Sequence, residues 1–168
     1  MSFDVHFQPC RYDGTTRERI NPFTKKSQDV PYNEPLSVAE ISAVLAVFKS
    51  AGATGPDDEG CRVVSLADGG HAEIFGGDRG DGCMFAIRGA GVTPLLAGLL
   101  FDVMVAGNWV LMEAGEDDVV IAPSLDCLKG APRSFGQIVV AASGGEVAAL
   151  LSGGFGAWKK YRDAVVSG

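Results

Sequence analysis

The sequence predicts an α+β domain, a mostly antiparallel sheet with helices packed on one face, and three observations predict it. Short strand-like segments follow one another through turns too short for the crossovers that parallel strands need. Two well-capped helical segments interrupt those strands, and runs of strands broken by helices are the pattern of α+β architecture. At 168 residues and 46% hydrophobic content the chain can bury one sizeable core, so residues 1–168 are expected to form a single domain.

The opening Phe3-Asp4-Val5-His6-Phe7-Gln8 alternates apolar and polar residues, placing Phe3, Val5 and Phe7 on one face of a half-buried strand that Pro9 ends. Residues 15–31 are polar and hold Asn21-Pro22-Phe23-Thr24 between two charged, strand-compatible arms, which predicts an exposed hairpin or a long loop. Ser37 followed by Glu40 makes a capping box. Ile41, Val44, Leu45 and Phe48 then recur at helical spacing, so a helix is expected from Val38 to Ser50, with Gly52 stopping it. After the acidic loop Gly55 to Gly60, Cys61 to Ala67 and His71 to Phe75 form a hairpin about the turn Asp68-Gly69-Gly70. The glycine-rich link Gly76 to Gly82 leads to a third strand, Cys83 to Arg88.

Thr93-Pro94 supplies an N-cap and a proline at the first helical position, opening a second helix through Ala106 that ends at Gly107. Leu95, Leu96, Leu99, Leu100, Val103 and Met104 wrap most of its circumference, as in a helix clamped between layers or keeping a face for a partner. Asn108 to Glu113 and Asp118 to Ala122 form another strand pair around Ala114 to Asp117, and Gln137 to Ala142 gives a last strand. Ser143 with Glu146 repeats the capping box for a short helix to Leu151. Beyond Gly153-Gly154, Trp158, Tyr161 and Val165 predict a terminal helix with its aromatic side on the body.

Charge and composition bound the function. The 14 Lys and Arg are outnumbered by 21 Asp and Glu, for a net charge of −7, which disfavours nucleic acid as a partner. The amino terminus has neither a basic nor an apolar leader region, and the longest apolar stretch, Leu95 to Ala106, is too short for a membrane span and holds Asp102. A soluble, cytoplasmic, bacterial-type protein without a membrane partner is expected. Four widely spaced cysteines without a C-x-x-C pair predict reduced, mostly core thiols.

Candidate chemistry is sparse. His6 and Cys10 share strand parity and could act as base and nucleophile, with His71 as a second candidate, although Pro9 lies between the first two. Asp68, His71 and Glu73 offer ligand types suited to Zn²⁺ or Mn²⁺, but a turn Asp followed by exposed strand residues is the commoner arrangement. Gly76-Gly77-Asp78-Arg79-Gly80-Asp81-Gly82 lacks the repeats of a calcium roll, the distal Glu of an EF-hand and the Lys-Ser/Thr of a phosphate loop, leaving a strand-to-strand loop. A nucleophile elbow, Walker A, H-E-x-x-H and dinucleotide fingerprint are all missing from the sequence, which lowers the weight of the common enzyme classes. No cofactor or metal is expected.

Phe3-Asp4-Val5-His6-Phe7-Gln8-Pro9-Cys10, Asn21-Pro22-Phe23-Thr24, Ala106-Gly107-Asn108-Trp109 and Ala157-Trp158-Lys159-Lys160-Tyr161-Arg162 resemble a family of uncharacterised bacterial proteins of similar length, a resemblance that implies no activity. The middle order of helix, three strands, helix, two strands, helix is similar to type III secretion chaperones, which are small, acidic, cytosolic and dimeric; the amino-terminal strand and polar segment depart from that plan.

These readings make a protein-binding module the leading expectation, an immunity protein or secretion chaperone whose partner is another protein, with a basic one suited to the negative charge. The acidic clusters Asp57, Asp58, Glu59 and Glu116, Asp117, Asp118 are its candidate interface residues. A homodimer through Leu96, Leu100 and Met104 is a further expectation. The alternative is a small-molecule-binding protein or enzyme with its site between sheet and helices, served by Cys10, His6 and His71.

Overall fold

The computed structural model describes residues 3–21, 23–113, 119–129 and 137–152. A seven-stranded sheet is built from β1 (Phe3–Pro9), β4 (Cys61–Ser65), β5 (Gly70–Gly76), β6 (Cys83–Gly89), β7 (Trp109–Glu113), β8 (Val119–Ala122) and β9 (Gln137–Val140), in the order β4-β5-β6-β1-β7-β8-β9. Every pairing is antiparallel except β8 with β9, which run parallel. The first strand in sequence is thus the central strand, with His6 opposite Met84 on one side and Met112 on the other. The polar segment is a hairpin, β2 (Tyr12–Ile20) with β3 (Ser27–Asn33), which forms a separate two-stranded arm.

The helices α1 (Val38–Ser50), α2 (Pro94–Gly107) and α3 (residues 144–152) supply apolar side chains to the same core face of the sheet. The α+β architecture with helices on one face is therefore the fold. Odd positions of β1 carry this face: Val5 and Phe7 are buried with Phe85, Trp109 and Leu111 beneath Val44, Phe48, Leu96 and Leu100. The capping signals act as their residue types require. Ser37 and Glu40 form a complete capping box at α1, Thr93 Oγ accepts from the Leu96 N–H at α2, and α2 ends on Asn108 in the left-handed conformation. Ser143 Oγ accepts from the Glu146 N–H at α3, while the Glu146 carboxylate accepts from the Ala142 N–H.

The glycine-rich link is a packing device. A Cβ on Gly82 would come within 2.3 Å of the Phe7 carbonyl oxygen, and the Leu36 N–H donates to the Gly80 carbonyl at 2.8 Å. The link therefore lies flat between β1 and the entry to α1, where only a residue without a side chain fits. At α3, a Cβ on Gly144 would fall 2.7 Å from Gly98 Cα, so α3 begins in backbone contact with α2.

The sheet face opposite α1–α3 is covered only in part. A second cluster, Cys10, Val110, Val120, Ala122 and Cys127, forms where the 3₁₀ turn Asp126–Leu128 crosses β7 and β8. Over β1, β5 and β6 that face carries half-buried polar residues instead, including His6, Gln8, Glu73 and Arg88.

Candidate functional site

His6 and His71 both lie on this outer sheet face, but two strands and four register positions apart, about 16 Å at ordinary strand spacing. Cys10 lies roughly 13 Å along β1 from His6 and is buried in the second cluster against Cys127 and Val110. Burial pushes the Cys10 thiol up and holds the Cys127 thiol at about 11, and a thiol kept protonated is a poor nucleophile. The structure does not bring His6, Cys10 and His71 together, so they do not form the catalytic set proposed from parity.

The three metal candidates diverge as well. Although partial desolvation opposes it, hydrogen bonds from the Leu95 N–H, the Gly70 N–H and the Thr93 hydroxyl hold the Asp68 carboxyl below its ordinary range. Asp68 therefore ties the β4–β5 turn to the amino terminus of α2, where a carboxylate meets unpaired backbone donors. Glu73 pairs with Arg88 at 3.1 Å, and His71 Nδ1 lies 3.0 Å from Ser65 Oγ. Among the described residues, no group of three His, Cys, Asp or Glu side chains could hold a metal ion.

Only some of the interface candidates lie within the described residues. Asp57 Oδ1 accepts from the Glu59 and Cys61 N–H groups, a local turn that leaves Asp58 and Glu59 facing solvent; Glu116, Asp117 and Asp118 lie outside the described residues. Leu96, Leu100 and Met104 require correction as a dimer surface. All three are fully buried in the main core, in keeping with the Asp68 carboxylate's hold on Thr93 and Leu95 at the start of α2. The outward stripe is Leu95, Asp102 and Val105, with Leu95 and Val105 50% and 54% exposed.

Two concavities result. Between α1 and α2 runs an open, apolar groove of about 690 Å³, walled by Val47 and the C-cap residue Ala51 at one helix and by Leu95, Leu99 and Val105 on the other, with the exposed Asp102 also lining it. Beneath the arm lies a polar cleft of about 480 Å³, bounded by Arg17, Arg19 and Tyr32 of the arm and by Gln8 and Asp81 of the body. Arg11 braces the arm. Its guanidinium forks onto both carboxylate oxygens of Glu40, with Nη1 3.1 Å from Oε2, and its N–H donates to Asn33 Oδ1. Hydrogen bonding from Arg11, ahead of that from Ser37, holds the Glu40 carboxyl at about 2. Parity alone could have found Arg17 and Arg19, two residues apart on one strand, but not the wall they face.

No protein-family model, curated protein or solved structure matches the chain. Among the described residues no helix is long and apolar enough to cross a membrane.

Proposed function

We propose that this protein is a protein-binding module whose partner lays a basic amphipathic helix into the groove between α1 and α2. The observation that carries this reading is the apolar groove itself, with Leu95 and Val105 half-exposed in its wall. A lone surface leucine needs no explanation, but a continuous apolar trough between two helices matches helix-in-groove recognition. The exposed Asp102 in the lining and the net charge of −7 favour a positively charged partner and would speed its approach. An immunity protein bound to a toxin, or a chaperone bound to a secreted effector, would use such a surface. The small-molecule alternative loses its original residues, since His6, Cys10 and His71 do not converge.

A photocrosslinking residue in place of Val105, in the full-length chain expressed in its own cells, tests the reading. The expected result is a crosslink to one protein whose purified form binds the wild-type chain, binds more weakly as salt rises, and does not bind Val105→Glu. A crosslink from position 105 to residues 153–168 of the same chain would overturn it, because the groove would then be filled from within. So would the absence of any crosslinked protein.

A further inference from the structure

We propose that the cleft beneath the β2–β3 arm is a binding site for the anionic oxygen group, phosphate or carboxylate, of a small molecule, held by Arg17 and Arg19. This inference is independent of the helical groove, which lies on the other side of the sheet.

Arg17 and Arg19 are two residues apart on β2, opposite Val30 and Gln28, so they project from the same face of the arm. Tyr32, two residues beyond Val30 on β3, lies on that face too. The Arg17 guanidinium stacks over the Tyr32 ring, 3.6 Å from its centroid. Stacking satisfies the plane of a guanidinium and leaves its in-plane N–H donors free to bind an oxyanion. The other arginines near the sheet are engaged differently: Arg11 with Glu40, Arg88 with Glu73 and Asp4, Arg62 with the Gly76 carbonyl. Among the described residues, neither the Arg17 nor the Arg19 side chain makes a salt bridge or a hydrogen bond, and the one carboxylate that Arg17 acts on electrostatically is the exposed Asp13, as the smallest of several influences there.

In a chain of net charge −7, a cleft whose lining holds two arginines outside any salt bridge against the single carboxylate of Asp81 is a local reversal of sign. A cleft of about 480 Å³ is of the size that takes small ligands. The opposite wall supplies the Gln8 amide, which can donate or accept, and the Asp81 carboxylate, which repels a second anionic group. The favoured ligand therefore carries its charge at one end, against the arm, and neutral or cationic polar groups at the other.

Calorimetric titration of the full-length protein with pyrophosphate and, separately, with citrate tests this, with sodium chloride at matched ionic strength as the control. Saturable binding of either probe is expected, weakened roughly tenfold or more in each of Arg17→Gln and Arg19→Gln. A preference for pyrophosphate assigns a phosphate ligand, and a preference for citrate a carboxylate. Both variants change exposed side chains, so circular dichroism and melting temperature should match the parent. No saturable heat from either probe, or equal binding by the Arg17→Gln/Arg19→Gln double variant, would overturn the proposal.

Discussion

Consecutive leucines at the start of α2 offer a direct test of how that helix is turned. Leu96 is fully buried in the main core, while Leu95 keeps 50% of its surface exposed in the groove. Leu96→Ala removes three carbons from a site enclosed by sheet and helices. The lost transfer energy and the cavity left behind together cost about 2–5 kcal/mol. Leu95→Ala removes the same carbons from a position already half in water, so about 1 kcal/mol is expected. For a chain of this length that difference corresponds to melting temperatures roughly 3–12 °C apart. Urea denaturation followed by circular dichroism reads both values, provided the slopes match that of the parent. Equal destabilisation by the two variants, or a larger loss from Leu95→Ala, would refute the assigned phase of α2. It would also return Leu96, Leu100 and Met104 to the surface.

Three further outcomes follow from the geometry. The Glu40 carboxyl titrates at about 2 in the folded protein, against an ordinary value of 4.5. Because the folded value is the lower one, its contribution is complete above about pH 4.5 and is lost as pH falls toward about 2. The side chain is partly exposed, so about 1 kcal/mol in total is expected once solvent screening is allowed for; denaturation at pH 7 and pH 3 should show roughly half of that loss in the parent and a smaller one in Arg11→Gln. Gly144→Ala places a methyl group against the α2 backbone at Gly98 and should cost about 1–3 kcal/mol by chemical denaturation, whereas a gain in stability would mean that α3 does not touch α2 there. Of the four thiols, Cys10, Cys83 and Cys127 are buried and Cys61 is partly exposed; titration with an aromatic disulfide reagent should modify Cys61 first, and the other three only on unfolding.

The elements were legible because their signals are local. Ser37 with Glu40, and Thr93 with Pro94, act within one helical turn, so they locate α1 and α2 without knowledge of the rest of the chain. Alternation in Phe3–Pro9 announces a strand for the same reason. What alternation cannot convey is that β1 sits at the centre of the sheet, between β6 and β7, because pairing partners some 80 and 104 residues away are chosen by the assembled core. The uniform hydrophobicity of α2 hid its orientation. With leucines on nearly every side, period alone does not distinguish Leu96 from Leu95, and the deciding contact is the Asp68 carboxylate that reaches Thr93 and Leu95 from a turn 25 and 27 residues earlier.

The same distinction between local and assembled information explains why His6, Cys10 and His71 do not converge and why Leu96, Leu100 and Met104 face inward. Histidine, cysteine and acidic side chains attract attention by their chemistry, but Asp68, Glu73, Cys10 and Cys127 are all taken up in holding elements together. A residue already satisfied by a cap, an ion pair or a core has little free energy left to spend on a ligand. The groups left unsatisfied are ordinary in sequence: Arg17 and Arg19 in a polar stretch, and Leu95 and Val105 in an apolar one. Each becomes informative only when the fold sets it beside a concavity, the arginines facing Gln8 and Asp81 and the apolar pair facing α1. The helix side and the outer sheet side thus present opposite chemistries, one apolar with an acidic residue in its lining and the other polar with a cationic wall. Two such surfaces separated by a sheet can be disabled independently, so Val105→Glu should leave pyrophosphate or citrate binding unchanged while Arg17→Gln leaves partner binding unchanged. Loss of both functions in either variant would show that the sheet couples them or that one of the surfaces has been misplaced.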